Sequence, residues 1–286
     1  MSDYKTIAPI IRRYEAEARK RFGNKFPALV NEQFLDLNKN YFSKESNPDY
    51  SAGIKKFAYL YKYSVAHGYF VFAALCAVKH SALGWFKHGE KLKIACIGGG
   101  PGSEILGVVR YLKKKGFDRE GISVEIAVFD KETTWKSLCA AILEAIEHKC
   151  EIRLKFIAMD ATDKETFKHF DFSGYHITIS SFFMSETKKL GIANKSKTFW
   201  RHVLGSLSVG STILLLDYAD KDGKSWEYAE GLMGEFDRFE TLVNEASMSM
   251  SCPDDKECLV DLESELDHRP KKKGTNFLKV ASVRRV

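Results

Sequence analysis

Residues 92–107, Leu-Lys-Ile-Ala-Cys-Ile-Gly-Gly-Gly-Pro-Gly-Ser-Glu-Ile-Leu-Gly, constrain the fold more than any other stretch: an apolar strand pattern runs into a glycine turn and straight on into a helix start. Gly98, Gly100 and Gly102 can take up positive φ without a Cβ penalty and let the chain bend sharply. The amide N–H groups of such a turn, and the helix N-terminus behind it, face an anionic or hydrogen-bond-accepting group. Gly99 adds a further bare position to the turn.

From Leu92 onward, apolar strand patterns alternate with helical ones, the mark of a parallel sheet covered on both faces. Strands are expected at 92–97, 122–129, 152–158, 176–181 and 211–216, with helices over 103–115, 133–148 and 197–207. The tail reads as a helix over 226–242, a weak strand at 246–250 and a final strand at 276–283, which suits an antiparallel edge because no helix follows it. Upstream, residues 3–22 have the spacing of an amphipathic helix. A second helical region covers 51–85, and its ring-rich part around His67 must pack on a core or roof a pocket. Loops are expected at 38–50 and, solvated, at 270–274. The pattern predicts an α/β protein with a Rossmann-like, mostly parallel sheet, an antiparallel last strand and an N-terminal helical extension. Its expected division is a helical cap over 1–88 and a ligand-binding domain over 89–286.

Composition narrows the class. A chain of 286 residues that is 44% hydrophobic can bury a substantial core. The longest nearly uncharged apolar run, 69–78, falls short of the roughly 18 to 20 residues that span a bilayer, and the first residues carry no leader-like apolar stretch. The expectation is an intracellular protein, cytoplasmic or nuclear, with no membrane insertion. Cysteines at 76, 96, 139, 150, 252 and 258 lack the paired spacing of a zinc site and read as reduced, buried thiols, so no metal is expected. A net charge of +6 permits nucleic-acid binding, although Lys113 to Lys115 close a predicted helix where cations complement the dipole. Nothing in the pattern specifies an oligomer.

Two nucleotide loops fit poorly. The dinucleotide fingerprint wants its third glycine at 103, where this chain has Ser. A phosphate loop needs Gly-Lys-Ser/Thr after the turn, and none follows. Glycines at 98, 100 and 102 instead resemble the first motif of the class I S-adenosylmethionine-dependent methyltransferases, and the resemblance extends over about residues 92–283. It implies S-adenosylmethionine as cofactor, with Gly98, Gly99, Gly100 and Gly102 at its methionyl end. It also implies that Asp130, at the end of the second strand, binds the ribose hydroxyls, and that Asp160 with Ala161, after the third strand, meets the adenine. A carboxylate suits the ribose because it accepts two hydrogen bonds from a cis-diol. Cys96 stands where the family often has an acid. The segments 97–104, 129–135 and 182–186 also resemble a group of eukaryotic methyltransferase-like proteins, which implies no substrate.

Methyl transfer is an in-line displacement, so alignment of the acceptor and removal of its proton are the main demands on the protein. Ligands lie at the carboxyl ends of parallel strands, which puts residues 180–183 beside the methyl group, with Ser180 and Phe183 as catalytic candidates and Ser180 a cofactor contact as well. Ser180-Ser181-Phe182-Phe183 keeps the outer residue types of the signature found in enzymes acting on planar amino groups but lacks its two prolines. His67 is the third catalytic candidate, since an imidazole titrates near neutral pH. Trp135 could lie along the adenine edge. The resulting expectation is a methyltransferase whose acceptor is RNA, slightly ahead of a small molecule, with a catalytically inactive cofactor-binding scaffold as the rival from another class.

Overall fold

Strands β1 (Leu92–Ile97) and β2 (Ser123–Asp130) are apolar on both faces, so each face must be covered. In the computed structural model, which describes residues 3–42, 53–78, 91–189, 193–220, 222–253, 257–266 and 268–285, they sit at the heart of a sheet completed by five further strands. These are β3 (Glu151–Ala158), β4 (Ile177–Ser181), β5 (Thr212–Tyr218), β6 (Phe239–Ser251) and β7 (Lys273–Val283). The order is β3-β2-β1-β4-β5-β7-β6; β1 to β5 run parallel, and β7 pairs antiparallel with both β5 and β6.

Alternation along each strand splits the core in two. Ile94, Val124, Ile126, Ile179, Leu214 and Val280 point to one face, and Ala95, Ala127, Phe129, Ile213 and Leu215 to the other. The first face is covered by α5 (Ser103–Lys114), α6 (Lys136–Ala145) and the N-terminal helices α1 (Asp3–Phe22), α2 (Phe26–Phe42), α3 (Gly53–Tyr59) and α4 (Val65–Ala77). The second is covered by α7 (Lys164–Phe167), α9 (Ala193–Ser206) and α10 (Lys224–Met233), through Phe167, Phe199, Trp200, Leu204 and Leu232. Short helices α8 (Met184–Lys189) and α11 (Val260–Glu265) follow β4 and precede β7. Arg12 and Arg19 of α1 bind Asp261 and Glu265 of α11, tying the chain ends together.

Close approach of α4 to α5 brings the N-terminal segment over the sheet. A Cβ at Gly107 would stand 2.6 Å from the Gly68 carbonyl oxygen and 2.8 Å from Val71 Cβ, so only a glycine permits this crossing. Gly107→Ala is therefore expected to push α4 outward and lower unfolding stability by about 1 to 3 kcal/mol in a urea titration. A loss below about half a kilocalorie would mean that α4 yields without strain.

Several expectations are corrected by packing. Residues 38–42, expected in a loop, continue α2, while 43–52 lie outside the described residues. The helical region expected over 51–85 is helical over 53–77, interrupted by a π-turn at Leu60–Ser64; residues 79–90 lie outside the described residues. The helix expected to reach 242 ends at Met233, because residues from Phe239 pair with β7 in a ribbon much longer than the strand expected at 246–250. The last strand is antiparallel as expected but lies inside the sheet, and β6 forms the edge. The stretch 270–274 is solvated only in part: Lys273 is exposed, but Pro270 is buried, Lys271, Lys272 and Gly274 are half-buried, and the Lys271 ammonium lies 3.8 Å from the centre of the Tyr218 ring. Among the described residues, no helix is long and apolar enough to cross a membrane.

Candidate functional site

The strand order reverses between β1 and β4, and at the carboxyl ends of such strands an open α/β sheet leaves a crevice. A cleft occupies this place, lined by the segments that follow β1, β2, β3 and β4 and roofed by Tyr59 and His67 of the N-terminal helices.

Its first wall is the glycine turn. Gly98 N donates to Phe129 O at 2.8 Å, Gly102 N to Gly99 O at 2.8 Å, and Ile105 N to Gly102 O at 2.9 Å, so the turn hands directly into α5. Gly98 has φ +65°, and a Cβ there would fall 2.2 Å from Phe183 Cγ. Asp130 braces the turn from β2: its carboxylate accepts from Gly100 N at 2.9 Å and from Glu132 N at 2.9 Å. Burial pushes the Asp130 carboxyl up to about 6, against the pull of those two N–H groups. Asp160, after β3, accepts from Thr162 N at 2.8 Å and Thr162 Oγ1 at 2.7 Å, forming a closed local turn.

A second carboxyl lies deeper. Glu104, in the first turn of α5, is 2% exposed and lines the cleft. Ser181 Oγ donates to its Oε1, and among the described residues its Oε2 has no hydrogen-bond partner. Burial pushes Glu104 up to about 7; the Ser181 hydrogen bond opposes this, and the nearby Asp130 adds to it.

The roof is aromatic. The π-turn keeps Tyr59, Tyr63 and His67 in mutual ring contact, at centroid distances of 5.4 Å for Tyr59–Tyr63 and 5.3 Å for Tyr63–His67. His67 stacks on Phe182 at 3.8 Å, and its Nε2 lies 2.6 Å from Tyr218 Oη. Full burial, with Lys271 nearby, holds the His67 pKa well below the ordinary imidazole range, so the ring is neutral. Phe182 has φ +57° and is the sole non-glycine residue at positive φ among the described residues. Its strained backbone is held by Phe182 N donating to Leu216 O at 2.8 Å and by Asp217, which accepts from Ser185 N at 2.7 Å and Ser185 Oγ at 2.8 Å. Lys56 donates to Thr134 Oγ1 and lies 5.4 Å from the centre of the Trp135 ring, closing the cleft edge.

Of the candidates from sequence, Gly98, Gly99, Gly100, Asp130, Asp160, Ala161, His67 and Phe183 line this cleft. Gly102 lies behind the turn, against Ile105 and Cys139. Ser180 does not line it: Ile177 and Ile179 face the α5 side, so alternation sends Ser181 to Glu104 and turns Ser180 to the opposite face. The Ser180 hydroxyl is buried there without a hydrogen-bond partner among the described residues. Ser181 and Phe182 fall within the span expected beside the methyl group, whereas Glu104 has no role assigned from sequence. A glutamate in a first helical turn ordinarily serves the helix dipole, so the only available signal was the strand period. Among the described residues, no group of three or more His, Cys, Asp and Glu side chains is placed to hold a metal ion.

No protein-family model and no curated protein sequence matches the chain. Solved structures do. The CurJ carbon methyltransferase is similar over 96% of this chain and 71% of its own, at 13% identity and a TM-score of 0.51. The DszA carbon methyltransferase is similar over 80% of this chain and 57% of its own, at 14% identity and a TM-score of 0.47. The N-methyltransferase NodS from Bradyrhizobium japonicum is similar over 76% of this chain and 96% of its own, at 9% identity and a TM-score of 0.45.

Proposed function

We propose that this chain, which has the Rossmann-like fold of the class I methyltransferases, is an S-adenosylmethionine-dependent methyltransferase acting on a small molecule admitted beneath its N-terminal helices. The observation that carries the reading is the bare turn at Gly98–Gly100, braced by the half-buried carboxylate of Asp130 at the strand-order reversal. The residues present fit the cofactor. Gly100 leaves open space where a side chain would project toward Asp130 Oδ2 and Trp135 Nε1, each 4.0 Å away, and Glu104 offers an orphaned carboxyl oxygen.

In this reading the glycine turn holds the methionyl end, Asp130 accepts from the ribose hydroxyls through its remaining lone pairs, and Asp160 with Ala161 borders the adenine. S-adenosylmethionine bound here would supply a sulfonium-activated methyl group, which the acceptor takes in line as S-adenosylhomocysteine leaves. Phe182 and Phe183 exclude water and fix the acceptor's approach, and neutral His67 is available to take its proton. Tyr218, at 2.6 Å, holds the imidazole in orientation.

The lining also bears on the acceptor. Among the described residues, Glu104, Asp130, Glu132, Asp160 and Glu186 line the cleft against Lys131, with Lys56 near its Trp135 edge. Such an acid-rich, aromatic wall repels a phosphate backbone and favours a neutral or cationic small molecule, which reverses the order expected from net charge.

Calorimetry with S-adenosylhomocysteine and NAD tests the cofactor, and transfer of radiolabelled methyl to fractionated metabolites, RNA and protein tests the acceptor. Label in the metabolite fraction, at a rate insensitive to salt, is the expected result. Label in RNA alone would overturn the small-molecule reading, and binding of NAD alone would overturn the methyltransferase reading. Tight homocysteine-adduct binding with no label in any fraction would favour the inactive scaffold. Tyr218→Phe is expected to reduce turnover about 10-fold while leaving S-adenosylhomocysteine affinity unchanged, since it loosens His67 and not the cofactor. Unchanged turnover would remove the imidazole from the mechanism.

A further inference from the structure

We propose that the Glu104 carboxylate, steadied by Ser181, is the acceptor and counter-ion for the α-ammonium group of the methyl donor. The assignment rests on reading the cleft as an S-adenosylmethionine site.

Three observations support it. Glu104 Oε2 is buried at the cleft wall with no hydrogen-bond partner among the described residues, and an acceptor left in that state requires an N–H or O–H donor from whatever fills the space. The groups around it supply no charge to balance a carboxylate. Cys96 of β1 and Cys139 of α6 are buried thiols whose pKa values are raised, chiefly by burial and further by Glu104. Asp130 of β2 carries a like charge, Ser181 of β4 is neutral, and His67 of α4 is held neutral by burial. Finally, the neighbouring half-buried acid of the cleft is already engaged, since both oxygens of Asp130 accept backbone N–H groups.

A ligand group that satisfies Glu104 must therefore bring a positive charge and a hydrogen-bond donor together. An alkylammonium brings both. The sulfonium of the donor carries charge but no N–H, and its adenine amino group donates but is uncharged. Glu104 also stands in the first turn of α5, directly behind the glycine turn that would hold the methionyl end. The acid reaches this depth from the helix, beside Cys96 of β1.

Binding of S-adenosylhomocysteine and of 5′-methylthioadenosine, which lacks the amino-acid end, separates this role from others. Glu104→Gln preserves size and the ability to pair with Ser181. It is expected to weaken S-adenosylhomocysteine about 10- to 100-fold and to change 5′-methylthioadenosine less than about twofold. Calorimetry near pH 7 in buffers of different ionisation heat is expected to show proton release on S-adenosylhomocysteine binding to the unaltered protein, because an ammonium beside Glu104 favours its ionised form, and none in the variant. Equal weakening of both ligands would assign Glu104 a purely architectural part, and unchanged S-adenosylhomocysteine affinity would leave it as a group facing the acceptor; either overturns the assignment. If the unaltered protein binds neither adenosyl compound, the methyl-donor reading falls with it. If it binds both and the variant behaves identically, the Glu104 role alone falls.

Discussion

Gly98→Ala is expected to abolish measurable S-adenosylhomocysteine binding and to lower unfolding stability by about 2 to 5 kcal/mol. Two independent penalties meet at this residue. Its φ of +65° lies in the left-handed region, which costs an L-residue about 1 to 2 kcal/mol. The added Cβ would also fall 2.2 Å from Cγ and 2.7 Å from Cβ of Phe183, so the ring must leave its packing against Phe199 and Trp200. The space available to it is the cleft itself. A double-mutant cycle divides the two effects: Gly98→Ala combined with Phe183→Ala should recover the overpacking part and retain the backbone part. Additive losses in urea titrations of the single and double variants would show that Phe183 is not what the glycine accommodates.

The strands were the most legible part of the sequence, because a parallel strand buried on both faces is an unbroken apolar run and needs no partner to be recognised. Ala95-Cys96-Ile97 and Ile126-Ala127-Val128-Phe129 are of this kind. By contrast β6 carries Glu240, Asn244, Glu245 and five serine or methionine residues toward its end, and only pairing with β7 makes it a strand. The short helices α7, α8 and α11 span too few residues for a periodicity to emerge. At the cleft, backbone-driven positions such as Gly98 and Asp130 could be read from their place at strand ends. Ser180 was displaced by one residue, which in a strand reverses the face, and Glu104 resembled an ordinary first-turn acid until Ser181 was seen to meet it. The positive φ of Phe182 carried no signal, since it is imposed by Leu216 and Asp217 from β5.

The same buried acid, Glu104, predicts a pH-dependent stability that the ligand removes. In the ligand-free protein Glu104 is raised from 4.5 to about 7, so the native state holds its proton more tightly than the unfolded chain. Stability from this group is fully present below about pH 4.5 and is lost as pH rises through 7, by about 3 kcal/mol in total. Glu104→Gln mimics the protonated form. The variant should therefore match the unaltered protein at pH 4.5 and exceed its stability by about 3 kcal/mol at pH 8. The difference between the two proteins reports this contribution. His67, lowered and hence opposing it below about pH 6.5, contributes to both proteins alike, whereas Asp130, also raised, is relieved in the variant of the repulsion it shares with Glu104. Saturating S-adenosylhomocysteine should erase the advantage of the variant at pH 8, because an ammonium at Oε2 gives the ionised carboxylate the partner it lacks in the empty cleft. Urea titrations at pH 5, 6, 7 and 8, with and without ligand, measure both limbs. A constant difference across pH would mean that Glu104 is ionised throughout and already compensated.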